Sequence, residues 1–178
     1  MTENIQKVLI TEEELQAKIK ELAAIISEEY KGKDPIFVGV LKGVVMFFGD
    51  FMKRVRIPCQ MDFMCISSYQ GEHSHHMELK KDVSANLEGR HVVILEDIFD
   101  TGNSLQFTCQ QLLAKKPASL KICTLLDKTC RRNPAVTVKA DYVGFTVPDE
   151  FVVGYGLDFN EYYRNLPFVG VLKPEAYQ

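Results

Sequence analysis

The sequence predicts an α/β fold in which a parallel sheet is covered by helices on both faces. Three observations carry that prediction. Two apolar runs without polar alternation, Ile36 to Leu41 and Val92 to Leu95, read as strands buried on both sides. Segments with helical spacing follow them, and strand–helix alternation through the middle of a chain is the pattern of parallel strands joined by crossovers. Acidic and turn residues collect where those strands end, the edge at which open α/β sheets bind ligands.

In chain order, Thr11-Glu-Glu-Glu14 is a capping box, and Leu15, Ile19, Leu22, Ala23 and Ile26 behind it make one apolar helical face ending near Gly32. Ile36 to Leu41 is a short strand, and Lys42-Gly43 leads from it into a helix expected to reach about Arg54. Cys59 to Ser67 is a further strand. Tyr69 to Asn86 is polar with little periodicity and is expected to form a long loop or a mobile hairpin. The strand Val92 to Leu95 is expected to end at Glu96-Asp97, after which a Thr101-Gly102-Asn103-Ser104 turn opens a helix carrying Leu105, Leu112 and Leu113. Leu120 to Leu126, Asp141 to Phe145, Phe151 to Gly154 and Phe168 to Leu172 are later strands.

A chain of 178 residues suits one domain with a substantial core, and no repeat or linker divides it. The net charge of −3 gives no general basic field for nucleic acid. No apolar run approaches the roughly 20 residues that span a bilayer, and Met1-Thr-Glu-Asn-Ile lacks a signal-peptide pattern. Five cysteines without a CxxC pair read as reduced thiols. The expectation is a cytoplasmic protein with neither a nucleic-acid nor a membrane partner.

The chemistry concentrates between Glu96 and Ser104. Three carboxylates, Glu96, Asp97 and Asp100, repel one another unless a cation or donors compensate. They run into a polar loop and a helix N-terminus, the layout that holds phosphate through free backbone N–H groups. Gly102 permits close backbone approach. Thr101 and Ser104 can donate hydroxyls, or Ser104 can serve only as the helix N-cap. A phosphate cradle beside acids suited to sugar hydroxyls and a metal points to a ribose phosphate; a solvated acidic turn is the alternative.

Glu96-Asp-Ile-Phe-Asp-Thr-Gly-Asn-Ser104 is similar to the phosphoribosyl pyrophosphate signature of type I phosphoribosyltransferases. More narrowly, the chain resembles the hypoxanthine-guanine phosphoribosyltransferases of bacterial type over nearly its whole length. Val40-Leu41-Lys42-Gly43, Ser67-Ser68-Tyr69, Leu125-Leu126-Asp127-Lys128 and the segment from Phe151 to Arg164 carry the narrower likeness, in the right order. The resemblance implies a type I core over about 36–145, a small hood from about 1–10 and 146–178, and a mobile loop over about 69–86, all in one domain spanning 1–178. It implies transfer of a 5-phosphoribosyl group from phosphoribosyl pyrophosphate to hypoxanthine or guanine, with Mg²⁺, by a homodimer or homotetramer.

The same resemblance assigns roles. Glu96, Asp97, Asp100, Thr101, Gly102, Asn103 and Ser104 would hold the ribose phosphate, with Asp100 as general base near purine N7. Glu96, Asp97 and Asp158 would form the metal environment, which suits magnesium because that ion keeps several waters and uses substrate phosphates. Lys42, Gly43 and Arg164 would hold pyrophosphate, the Leu41–Gly43 loop of this family often containing a non-proline cis peptide. Lys128, Phe151, Val152 and Asp158 would hold the purine, and Ser68-Tyr69 would open the mobile loop that excludes water. Read by themselves, Lys42-Gly43 is an ordinary turn, Lys128 and Arg164 are surface cations, Phe151 is a core aromatic and Asp158 is a turn residue.

His73, His75 and His76 depart from the expected loop composition and admit a zinc reading, but no Cys/His partner set with convincing spacing accompanies them, which favours a solvated loop. Phe99 and Asn103 also vary from common choices at their positions. Competing functions are a xanthine-preferring transferase, a phosphoribosyl-pyrophosphate-sensing regulator that binds nucleic acid, and a nucleotide-binding module without turnover.

Overall fold

The computed structural model describes residues 2–71 and 74–177, and for 68–71 and 74–76 the backbone alone. The elements run β1 (Ile5–Ile10), α1 (Glu12–Glu29), β2 (Ile36–Leu41), α2 (Val45–Met52), β3 (Gln60–Gly71), β4 (Ser74–Lys81), β5 (His91–Phe99), α3 (Asn103–Leu113), β6 (Ser119–Asp127), β7 (Tyr142–Thr146), β8 (Val152–Val153) and β9 (Val169–Leu172). Among the described residues the strands form two sheets, ordered β4-β3-β2-β5-β6-β7 and β1-β9-β8. In the larger sheet β3, β2, β5, β6 and β7 pair in parallel, and β4 runs antiparallel at the edge beside β3.

Strand alternation divides the core in two. Phe37, Val93, Leu95 and Leu125 turn to one face and pack with Leu15, Ile19, Ile26, Phe47 and Phe51 of α1 and α2. Ile36, Val38, Val92 and Ile94 turn to the other and pack with Leu105, Cys109 and Leu112 of α3. Both faces are therefore dry, which is why these strands are uniformly apolar; each fully buried side chain of this size stabilises by about 1.5–3 kcal/mol. The capping box at α1 is complete, with Thr11 Oγ1 accepting from the Glu14 N–H at 3.2 Å and the Glu14 carboxylate accepting from the Thr11 N–H at 2.7 Å.

Several boundaries differ from the sequence reading. β1 is a strand that hydrophobic periodicity does not announce: half of its residues are exposed, and it is held by antiparallel pairing with β9. β5 does not stop at Leu95 but continues through Glu96 and Asp97 to Phe99, because β6 keeps pairing with it as far as Phe99 opposite Asp127. Of the two forms expected after Ser67 a hairpin of β3 and β4 opens, the backbone of Tyr69 pairing with that of His76, and the difference is that β3 runs past Ser67. α2 is shorter than expected, ending at Met52.

The smaller sheet joins the two ends of the chain. Val152, Val169 and Val171 pack with the α1–α2 side of the core, and Val153, Leu166 and Leu172 make a separate cluster on its other side. No helix among the described residues is long and apolar enough to cross a membrane.

Candidate active site

Loops at the carboxyl ends of β2, β5 and β6 meet the segment from Phe151 to Arg164 around a cavity of about 340 Å³. Gly43, Asp97, Asp100, Lys128, Phe151, Val152, Asp158 and Arg164 line it, joined by Ile98, Arg131 and Leu157. Eight residues singled out in the sequence are thus brought together from segments more than a hundred positions apart.

β2 delivers Gly43 through a loop whose Leu41–Lys42 peptide is cis. A Cβ on Gly43 would collide with the Asp97 carboxylate, so glycine is what lets the two segments approach. Asp97 Oδ1 accepts the N–H of Ile98 at 2.9 Å. Burial, outweighing the Arg164 charge, pushes the Asp97 carboxyl up to about 6.

Glu96 points the other way. Like Val92 and Ile94 it falls on the α3 face of β5, it is 8% exposed, and it does not line the cavity with Asp97 and Asp158. Burial first, and then the Asp97 charge, raises its carboxyl well above the usual range, and its Oε2 is buried without a hydrogen-bond partner. The expected three-carboxylate metal set is therefore split across the sheet.

Asp100 follows β5 and presents to the cavity a carboxylate whose buried Oδ1 has no hydrogen-bond partner. Arg131 Nε lies 3.8 Å from that oxygen and 3.8 Å from Asp149 Oδ1. Thr101, Gly102, Asn103 and Ser104 form the turn into α3. The helix begins at Asn103, with Gly102 left-handed at φ 86° in the capping position. Ser104 therefore lies in the first turn and is not the N-cap. The turn is pinned from outside: the Asn133 N–H donates to the Thr101 carbonyl at 3.0 Å, and the Asn133 amide donates to Asn103 Oδ1 at 2.8 Å. No side chain caps the N-terminus of α3, so its opening N–H groups are donors of the kind that suit an anion.

On the far wall Lys128 is buried, and its ammonium donates to the Glu150 carbonyl at 2.8 Å, which leaves two of its three donors. Phe151 is 36% exposed and so is not a core aromatic. Arg164 is held by the Gly156 carbonyl at 2.8 Å and by Asp158 Oδ1 at 2.9 Å. Glu161 bridges the two expected pyrophosphate cations, at 2.9 Å from Lys42 and 3.3 Å from Arg164, and these bonds hold its carboxyl below the usual range.

The side chains of Ser68, Tyr69, His75 and His76, and His73 altogether, lie outside the described residues. Sequence reasoning missed Ile98, Arg131, Asn133, Leu157 and Glu161. Arg131 stands in the basic run after Lys128 and was open to notice; Asn133 carried no such mark.

A family model described as the phosphoribosyl transferase domain matches residues 9–160. The hypoxanthine-guanine phosphoribosyltransferase of Bacillus subtilis is 48% identical, the match covering all of this chain and 99% of that one. The bifunctional protein TilS/HprT of Listeria innocua is 51% identical over 99% of this chain, which spans only 27% of that protein's length. A crystal structure of a Staphylococcus aureus hypoxanthine phosphoribosyltransferase superposes with a TM-score of 0.95 at 45% identity, covering 100% and 97% of the two chains. With the motifs gathered around one cavity in that family's fold, the chain belongs to the hypoxanthine-guanine phosphoribosyltransferases.

Proposed function

We propose that the chain transfers the 5-phosphoribosyl group of phosphoribosyl pyrophosphate to hypoxanthine or guanine, giving IMP or GMP and pyrophosphate, as a purine-salvage enzyme of the cytoplasm. The observation that carries this reading is the joint lining of one cavity by Asp100, Lys128, Phe151 and Arg164, groups suited to a proton, a purine oxygen, a purine face and an anion.

In this reading the α3 turn from Thr101 to Ser104 holds the 5′-phosphate, Asp97 approaches the ribose from the cavity, and Glu96 approaches it from the α3 face of β5. Asp100 accepts the purine N7 proton as the C1′–purine bond forms and the bond to pyrophosphate breaks. Its negative charge also suits the positive charge that builds on the ribosyl carbon. Lys128 donates to the purine O6, and Val152 offers its carbonyl to the N1 and exocyclic N2 hydrogens, an arrangement that meets the second oxo group of xanthine as a like dipole. Lys42, the Gly43 backbone and Arg164 take up pyrophosphate. Ser68 and Tyr69 open the segment that closes over the site, and the 69–86 stretch together with the smaller sheet supplies the mobile loop and hood.

Magnesium fits the donors on the cavity. Asp97 leaves its Oδ2 facing Gly43, whereas both Asp158 oxygens are engaged, one by Arg164 and one by the Glu161 N–H at 2.9 Å. Among the described residues no group of three His, Cys, Asp or Glu gathers as a metal site, so Asp97 and Asp158 would hold the ion together with substrate phosphates and waters. When bound, the ion supplies positive charge to the departing pyrophosphate. Assembly as a homodimer or homotetramer completes the reading. Purified chain should release pyrophosphate and IMP or GMP from phosphoribosyl pyrophosphate with either base; no turnover with both bases and Mg²⁺ overturns it.

A further inference from the structure

Phe151 does not stand alone at the cavity wall. Tyr177 lies almost flat on it, with ring centroids 4.9 Å apart and planes 21° apart. Phe159 meets Phe151 edge-on at 5.7 Å and 89°, and meets Tyr177 at 6.5 Å and 70°. Three rings therefore fix one plane, although Phe151 and Tyr177 are 26 positions apart and neither belongs to the main core. Tyr177 is carried there by a short turn in which its N–H donates to the Pro174 carbonyl at 3.2 Å, and the adjoining Lys173 N–H donates to the Asn4 carbonyl at 2.9 Å.

A phenyl ring has two faces. Tyr177 covers one of them and does not line the cavity; Phe151 does line it, and so presents its remaining surface there. We infer that Tyr177 is a positioning residue for the purine base, backing the Phe151 ring so that its free face is held as a rigid stacking platform. This rests on the reading of Phe151 as the purine-stacking residue. An unbacked Phe151 could rotate about its side-chain torsions, and each purine that bound would have to order it. Stacked and edge-on partners remove that freedom before binding, so the loss should appear in purine binding and leave the chemical step alone.

The test is steady-state kinetics with hypoxanthine varied at saturating phosphoribosyl pyrophosphate, comparing Tyr177→Leu, Tyr177→Phe and Phe151→Leu. Tyr177→Leu keeps an apolar side chain and is expected to raise KM for hypoxanthine by about 3- to 10-fold, with kcat within about 2-fold. Tyr177→Phe, which keeps the ring, should restore the original KM, a rescue that merely filling space would not give. The KM for phosphoribosyl pyrophosphate should stay the same in both. An unchanged hypoxanthine KM in Tyr177→Leu, with a raised one in Phe151→Leu, overturns the role of Tyr177 alone. A lowered KM in Tyr177→Leu also overturns it, since Tyr177 would then obstruct the face the base needs. An unchanged KM in Phe151→Leu overturns the Phe151 reading itself.

Discussion

Gly43 and Asp97 come so close that a side chain on the first would occupy the place of the carboxylate of the second. The contact joins the loop after β2 to the polar end of β5, two segments that the sheet sets side by side through the pairing of Gly39 with Leu95. It holds Asp97 on the cavity, and it does so with backbone alone. Gly43→Ala is therefore expected to displace Asp97. Overpacking of this kind costs about 1–3 kcal/mol of stability, and kcat/KM for phosphoribosyl pyrophosphate should fall by at least about 10-fold, a shift of about 1.4 kcal/mol or more. Wild-type kinetics in a stably folded Gly43→Ala would remove the significance given to this contact.

Asp100→Asn keeps the shape of the side chain and removes its basicity. A general base typically contributes about 10²- to 10⁴-fold, so kcat should fall in that range while the dissociation constant of phosphoribosyl pyrophosphate changes little. Isothermal titration beside rate measurements separates the two. Full activity in the variant would falsify the assignment of Asp100 as the base.

The buried Glu96 makes stability depend on pH. Its folded-state carboxyl is raised, by burial first and by Asp97 second. Above its ordinary value the folded chain thus binds more protons than the unfolded one, and stability falls as pH rises. Glu96→Gln lacks this penalty. In metal-free protein it should unfold at higher urea than wild type at pH 8, with the gap closing toward pH 5. A gap that stays constant across that range would mean Glu96 is not the titrating group.

Discrimination among bases tests the purine wall. In the proposed reading Lys128 and the Val152 carbonyl favour a 6-oxo group beside N–H donors, and an acceptor placed against the second oxo group of xanthine is costly. Xanthine is expected to show kcat/KM about 10²-fold or more below hypoxanthine. Lys128→Met should raise KM for hypoxanthine and guanine without altering that for phosphoribosyl pyrophosphate. Comparable turnover of xanthine would overturn this discrimination.

Much of this molecule was legible in the order of its residues. Uniformly apolar strands, the capping box at Thr11 and the acid-to-glycine run from Glu96 to Ser104 are local patterns, and local patterns are what hydrogen bonding and burial act on first. They led to the α/β class, the parallel sheet and the acidic part of the cavity wall, Asp97 and Asp100. Resemblance to a known family supplied the purine side, where Lys128 and Phe151 have no distinguishing context of their own.

Tertiary structure decided what the patterns left open. Pairing with β6, which polar side chains do not oppose, carried β5 past Leu95 and thereby sent Glu96 and Asp97 to opposite faces of the sheet. β1 is a strand only because β9 is there to pair with it. Asn133 pins the turn into α3, Glu161 spans Lys42 and Arg164, and Tyr177 backs Phe151. Apart from Glu161 with Arg164, three positions apart, these contacts join residues at least 26 positions apart and have no signal in spacing. The sequence by itself determined most of the elements, β1 excepted, and which residues could carry the chemistry, since those depend on near neighbours. Which of those residues share a face, a cavity or a partner was settled only when the chain folded, because burial and strand pairing act between residues distant in sequence.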